Sequence, residues 1–163
     1  MKLIFIIISF SIIVSFIAVP RRNVISFSKL HLKPPFSNID NLVDTIESKL
    51  LPEKFGHSKF RNGQREVITK VLQRKSCLAI LPTGAGKSLC FQLPAQIFDG
   101  MTLVVSPLIS LMRDQVQSLR LKGIKAFQLI SSLTFEETRS TYKEILDGHV
   151  QILYVSPERF NNG

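Results

Sequence analysis

The 163-residue chain has no tryptophan, two tyrosines, two cysteines and no acidic residue before Asp40. Each scarcity excludes something. Cys77 and Cys90 stand apart in apolar strings (CLAIL and SLCFQ), with no CxxC and no clustering with His31, His57 or His149. That pattern argues against a disulfide scaffold or a metal centre and predicts buried, reduced thiols. The acid-free start localises the net charge of +9: Lys2, Arg21, Arg22, Lys29 and Lys33 supply five of the charges. Residues 40–163 then hold 16 basic and 12 acidic residues, too small a surplus to argue for nucleic-acid binding by itself. No pair of acids follows an apolar strand-like run, since Glu136-Glu137 opens a helical pattern. The length leaves room for one domain at roughly 100–200 residues per domain. A hydrophobic content of 45 % excludes global disorder.

What is present begins with a leader. Leu3 to Val19 is apolar except for Ser9, Ser11 and Ser15. It falls between a signal-peptide core of about 7–15 residues and a spanning helix of about 20. Cleavage after Ala18 would put bulky Phe16 where a small residue is wanted. As an uncleaved anchor, the flanking basic residues would keep the rest of the chain on the cytoplasmic side. Residues 20–38 are basic, serine-rich and acid-free, the composition of an organellar transit peptide. The whole leader resembles the bipartite presequences that route proteins to secondary plastids. A wrongly joined exon is the competing explanation. Residues 1–37 are therefore set apart as a targeting or signal-anchor segment that would meet a membrane or a translocation machinery. Residues 38–163 are taken as the folded domain.

From Asn38 onward helical and strand patterns alternate. Asn38 and Asn41 cap a helix carrying Ile39, Leu42, Val43, Ile46 and Leu50 on one side. A second helix is expected from residue 62 or 63 to Gln73, and a buried strand over Cys77–Leu81 runs into Pro82-Thr83-Gly84. Helices over Ser88–Phe98, Leu108–Lys122 and Phe135–Leu146 then separate strands at Thr102–Ser106, Ala126–Ile130 and Gln151–Ser156. Apolar strands alternating with helices predict an α/β fold of three layers around a parallel sheet.

The chemistry concentrates at Leu81-Pro-Thr-Gly-Ala-Gly-Lys-Ser88. The phosphate-binding loop pattern is GxxxxGK followed by Ser or Thr between a strand and a helix. Leu81 replaces the leading glycine, but the flanking strand and helix patterns are those the motif needs. Gly84 and Gly86 let backbone N–H groups of the Thr83–Ser88 turn face a phosphate. Lys87 is placed to reach the β- and γ-phosphates and Ser88 to ligate Mg²⁺. Upstream, Gln64 is of a type that pairs with the N6 and N7 edge of adenine, and Arg61 can stack on its ring. Taken alone, that upstream stretch reads equally well as a helix start with solvated charges.

Four runs together carry a resemblance: LPEKFGHSKFRNGQREVI, CLAILPTGAGKSLCFQLPA, TLVVSPLISLMRDQV and ILYVSPERF. They resemble the RecQ family of superfamily 2 DNA helicases over about residues 50–160. The resemblance implies a RecA-like P-loop fold forming an incomplete first helicase lobe, a 3′–5′ DNA helicase activity, and ATP with Mg²⁺ as cofactors. It implies that His57 and Arg61 flank the adenine, that Gln64 reads its edge, and that Thr83, Gly84, Ala85, Gly86, Lys87 and Ser88 hold the phosphates. The family writes this loop as PTGxGKS, which removes the anomaly at Leu81. Ser106, Pro107 and Leu108, and then Ser156 and Arg159, match motifs the family places near single-stranded DNA. Arg113 and Gln115 either assist there or belong to a solvated helix face.

The family's Asp-Glu-Ala-His strand and its second lobe with an arginine finger are not found in this sequence. A finger of that kind is worth about 10³–10⁵ in rate. The isolated chain is thus expected to bind nucleotide weakly and to hydrolyse it poorly. Two other readings stay open. One is a different superfamily 2 NTPase such as a DEAD-box RNA helicase; the other is a non-catalytic nucleotide-binding module. The family points to the nucleus or another DNA-containing compartment, the leader to an organelle or the secretory route.

Overall fold

The computed structural model describes residues 4–8, 13–17 and 38–160. The first helix starts where the sequence predicts. The Asn38 side chain accepts from the Asn41 N–H at 3.1 Å and caps α1 (Ile39–Thr45). The helix continues through one π turn (Ile46–Leu50) into α2 (Leu51–Phe55), which Gly56 ends in the left-handed conformation at φ 70°. Pro52 has no N–H to donate to the preceding turn, and the Leu51 N–H reaches back to Ile46 instead; a missing donor of this kind shifts a helix locally to the wider spacing.

Then follow α3 (Gln64–Leu72), β3 (Cys77–Ala79), α4 (Leu89–Gln92), β4 (Met101–Val105), α5 (Ile109–Leu121), β5 (Ala126–Leu129), α6 (Phe135–Leu146) and β6 (Ile152–Val155). The helix expected over Ser88–Phe98 is shorter than predicted. It stops at Gln92 and re-forms as a 3₁₀ turn over Pro94–Gln96, because Pro94 cannot continue the α-helical ladder. Thr134 and Glu137 close a reciprocal capping box at the start of α6.

Strands β4, β6 and β5 pair in parallel, Thr102 opposite Ile152 and Ala126 opposite Ile152. This is the three-layer α/β arrangement expected of the sequence. Alternation along the strands assigns the layers. Ala79, Val104, Ala126, Ile152 and Tyr154 join Val71, Phe91, Met112, Val116 and Leu119 in one core beneath α3, α4 and α5. Leu129, Leu153 and Val155 face the other way, where Leu133 and Ile145 cover them. A third cluster, with Leu42, Ile46, Leu51, Ile68 and Leu93, glues the first helices to α3 and α4.

Two findings depart from the sequence reading. The leader contributes strands: β1 (Ile4–Ile8) and β2 (Ile13–Ile17) form an antiparallel hairpin inside the sheet, whose order is β3-β1-β2-β4-β6-β5. The sheet is therefore mixed, although β3, β4, β5 and β6 all run in one direction. Runs such as IFIII and IVSFI are rich in β-branched residues that suit a pleated surface. The remainder of the leader, including the basic stretch 20–37, lies outside the described residues. Secondly, the Cys77–Leu81 run is not buried on both faces. Leu78 and Ile80 are 63 % and 79 % exposed, because the helices packed on β3 cover only the face carrying Ala79. Among the described residues no helix is long and apolar enough to cross a membrane.

Candidate functional site

The four parallel strands end on one side of the sheet, where open α/β folds collect their ligands. The segments at those ends are residues 81–88 after β3, 106–108 after β4 and 156–160 after β6. All three motif groups singled out in the sequence meet along this rim.

The phosphate turn is built by two glycines in the left-handed region, Gly84 at φ 80° and Gly86 at φ 72°. Among the described residues, no protein acceptor takes the backbone N–H of Gly84, Gly86, Lys87 or Ser88. Free, closely spaced N–H groups on such a turn form an anion cradle. The Lys87 ammonium donates to the carbonyls of Leu81 at 3.1 Å and Pro82 at 2.9 Å, folding the turn back on its own strand. Leu81 packs on the other side: a Cβ on Gly63 would lie 2.7 Å from its Cδ2. The residue that breaks the generic pattern is the one that seats the loop against the start of α3.

Arg61 and Gln64 are joined directly to this turn. Gln64 is 2 % exposed. Its Nε2 donates to the carbonyls of Ala85 and Gly86, both at 3.0 Å, while its Oε1 accepts the Arg61 N–H at 2.8 Å. The Arg61 guanidinium donates to the Gly84 carbonyl. Arg61, Gln64, His57, Lys59 and Leu89 line an open cleft of about 250 Å³ beside the turn. Gly86 has no room for a side chain, since a Cβ there would stand 2.5 Å from Gln64 Nε2. Sequence reasoning missed what fixes the adjoining loop. Glu47 accepts the Phe60 N–H at 2.8 Å and pairs with Arg65 at 3.1 Å. Asp44 also binds Arg65, and its hydrogen bond is the main cause of an Arg65 pKa above the usual guanidinium range.

The residues matched to DNA motifs are arranged differently from expectation. Ser106 is buried, and its Oγ accepts the Leu108 N–H at 3.3 Å while its own N–H goes to Val155. Ser156 is completely buried and its N–H goes to Leu129 at 3.1 Å. Neither serine offers its side chain to a ligand on the rim. Ser106 anchors its turn through its hydroxyl and Ser156 through its backbone N–H, and Pro107, Leu108, Pro157 and Glu158 are the exposed groups. Arg159 is half-buried, donating to the Ile130 carbonyl at 2.7 Å, so it ties the end of β5 to the turn after β6. Ser156 leads the groups that hold the Glu158 carboxyl below the ordinary carboxylate range. Arg113 donates to the Ser132 hydroxyl at 2.7 Å. Gln115 does not lie on a solvated face: it accepts from Gln92 inside the domain.

Comparison with known proteins agrees with this geometry. The model of the DEAD/DEAH box helicase family matches residues 61–162. The ATP-dependent DNA helicase RecQ of Haemophilus influenzae is 49 % identical over 110 residues, 68 % of this chain and 18 % of the relative. RecQ of Pasteurella multocida is 52 % identical over 105 residues, 64 % of this chain and 17 % of the relative. The ATP-dependent DNA helicase Q-like 5 of Arabidopsis thaliana is 48 % identical over 115 residues, 71 % of this chain and 12 % of the relative. The chain thus spans less than a fifth of the length of these relatives. On the family match, the identities and the joined Gln64–phosphate turn, the chain belongs to the DEAD/DEAH box helicases, in their RecQ branch.

Proposed function

We propose that this chain is the nucleotide-binding part of the first lobe of a RecQ-like 3′–5′ ATP-dependent DNA helicase. Its ligands are ATP with Mg²⁺ and single-stranded DNA. The observation that carries the reading is the bonding of Gln64 to the two carbonyls of the turn that bears four free N–H groups. Gln64 thereby ties the phosphate cradle to the cleft lined by His57 and Arg61, and it must release these bonds to meet a base edge. Adenine enters the cleft between His57 and Arg61, the phosphates take the free N–H groups, Lys87 releases its carbonyls for the outer phosphates, and Ser88 supplies the metal-side hydroxyl. A Mg²⁺ ion held by Ser88 would neutralise charge on the phosphates. Single-stranded DNA lies over the exposed backbone at Pro107-Leu108 and Pro157-Glu158, with Ser106, Ser156 and Arg159 positioning those turns.

Binding is separate from turnover. Phosphoryl transfer requires the metal and the attacking water to be held together, and among the described residues no strand ends in an acidic pair. Titration with a fluorescent ATP analogue tests the proposal. Lys87→Ala and Gln64→Ala should each weaken binding by about tenfold or more, and Gln64→Ala should also erase preference for ATP over GTP. Equal affinity of both variants and the parent chain would overturn the site. Turnover stimulated by single-stranded DNA and abolished in Lys87→Ala would overturn the separation of binding from hydrolysis. Residues 1–38 are proposed to direct the chain to an organelle without being removed, since β1 and β2 belong to the sheet; a fluorescent-protein fusion that stays diffuse would refute this.

A further inference from the structure

Beneath the rim, two buried polar side chains and a half-buried third at the margin of the apolar core join three different elements. Gln92 on α4 is 8 % exposed and Tyr154 on β6 is 2 % exposed. The Gln92 Nε2 donates to the Gln115 Oε1 on α5 and to the Tyr154 hydroxyl at 3.3 Å. Around them stand Val104, Met112, Val116 and Ile152, and the Tyr154 ring meets Phe91 edge-on at 6.4 Å. An apolar trio would fill this space without any cost of burying polar atoms.

The position of the trio suggests why polar groups are there. Gln92 lies one helical turn after Ser88, the last residue of the phosphate turn. Gln115 sits on the helix that begins after Ser106–Leu108. Tyr154 stands two residues before Ser156. Each member is thus connected by a short rigid stretch to one of the three rim segments. One amide serves both partners with its two N–H bonds, so it cannot follow one of them without leaving the other unpaired in an apolar surround. A shift of α4 is then felt by both of the other elements together.

We propose that Gln92, Gln115 and Tyr154 are positioning residues that couple nucleotide occupancy of the phosphate turn to the geometry of the turns at Ser106–Leu108 and Ser156–Arg159. The inference rests on the functional reading above and adds a physical link between its two ligands. Reciprocity requires that whatever ATP does to DNA affinity, DNA does to ATP affinity.

The test measures that linkage in the full chain, as the ratio of affinities for a fluorescent ATP analogue with and without saturating oligo-dT. The parent chain should show a ratio on the order of ten. Tyr154→Phe and Gln115→Leu should bring the ratio close to one while each separate affinity changes less than about threefold. Gln115→Glu keeps an acceptor for Gln92 and should keep the ratio, which a loss of packing alone would not predict. Variants that retain the full ratio, or a parent chain that binds both ligands with a ratio of one, would overturn the coupling and leave the two sites standing. A parent chain that binds neither ligand would overturn the functional reading and the coupling with it.

Discussion

Replacing Gly86 by alanine probes whether Gln64 and the Thr83–Ser88 turn are one unit. Gly86 sits at φ 72°, where an L residue carries a penalty of roughly 1–2 kcal/mol. The new Cβ would also lie 2.5 Å from Gln64 Nε2, so the amide must swing aside. Swinging a flexible side chain is sterically cheap, but this amide is almost fully buried and holds the carbonyls of Ala85 and Gly86. Losing those two bonds adds about 1 kcal/mol each. Gly84 is the control, because it has φ 80° and nothing within 4 Å of a Cβ. Gly84→Ala therefore carries the backbone strain alone, and Gly86→Ala should exceed it by about 2 kcal/mol, some 30-fold in an equilibrium constant. Urea denaturation of the two variants gives the difference directly. In a Gln64→Ala background the excess should vanish, since the clash and the bonds are both gone. Equal penalties for the two glycines, or an excess that survives Gln64→Ala, would refute the link.

Glu47→Ala removes the acceptor of the Phe60 N–H and one partner of Arg65; it should cost about 1 kcal/mol by denaturation, since the group is partly exposed, and should weaken nucleotide binding by freeing the loop before Arg61. Burial pushes the Cys90 thiol up to about 12, so at pH 8 it should resist iodoacetamide in the folded chain and react at the rate of global unfolding; rapid labelling of Cys90 in the native state would contradict its placement. Hydrogen bonds from Thr134 and Ser156 are the leading causes that lower the Glu137 and Glu158 carboxyl pKa values below their ordinary 4.5. A depressed folded-state value contributes stability above the unfolded value that is lost as pH falls through the folded one. Stability should therefore decline with acid below about pH 4.5, and Thr134→Ala should flatten that decline, as followed by circular dichroism.

Most of the domain's elements were legible from local signals. The Asn38 cap, the α6 span and the apolar strands each announce themselves within a few residues, and the structure places them within one or two positions of expectation. The Thr83–Ser88 turn was equally legible as a turn, because its two left-handed glycines are contiguous with it in sequence. Roles that depend on partners distant in sequence were not legible. Gln115 and Gln92 are 23 residues apart, and Gln92 and Tyr154 are 62 apart, so a polar residue on a helix looked solvated when it was paired inside. The burial of Ser106 and Ser156 was hidden for the same reason. A serine at a strand end can present its hydroxyl to a ligand or turn it inward to hold the next turn, and only the packing decides.

The hairpin within the sheet has its own consequence. Strands β3 and β4 run in the same direction but are separated by two strand positions, about 14 Å at the usual ladder spacing. The turn after β3 and the turn after β4 both belong to the rim, so that gap sets their distance. The hairpin fills it through three register pairs with β3 and five with β4. A leader that is only an address is dispensable for folding, whereas strands at the centre of a sheet are not. Deleting residues 1–19 should therefore leave two unpaired edges in the middle of the domain, lower stability by a few kcal/mol through lost ladder bonds, and promote aggregation. Hydrogen exchange at the amides of β4 should rise before exchange at β6, because β6 keeps both of its neighbours. A truncated chain with unchanged denaturation midpoint and unchanged protection of β4 would show that the leader takes no part in the sheet and that the spacing of the rim is held by the helices alone.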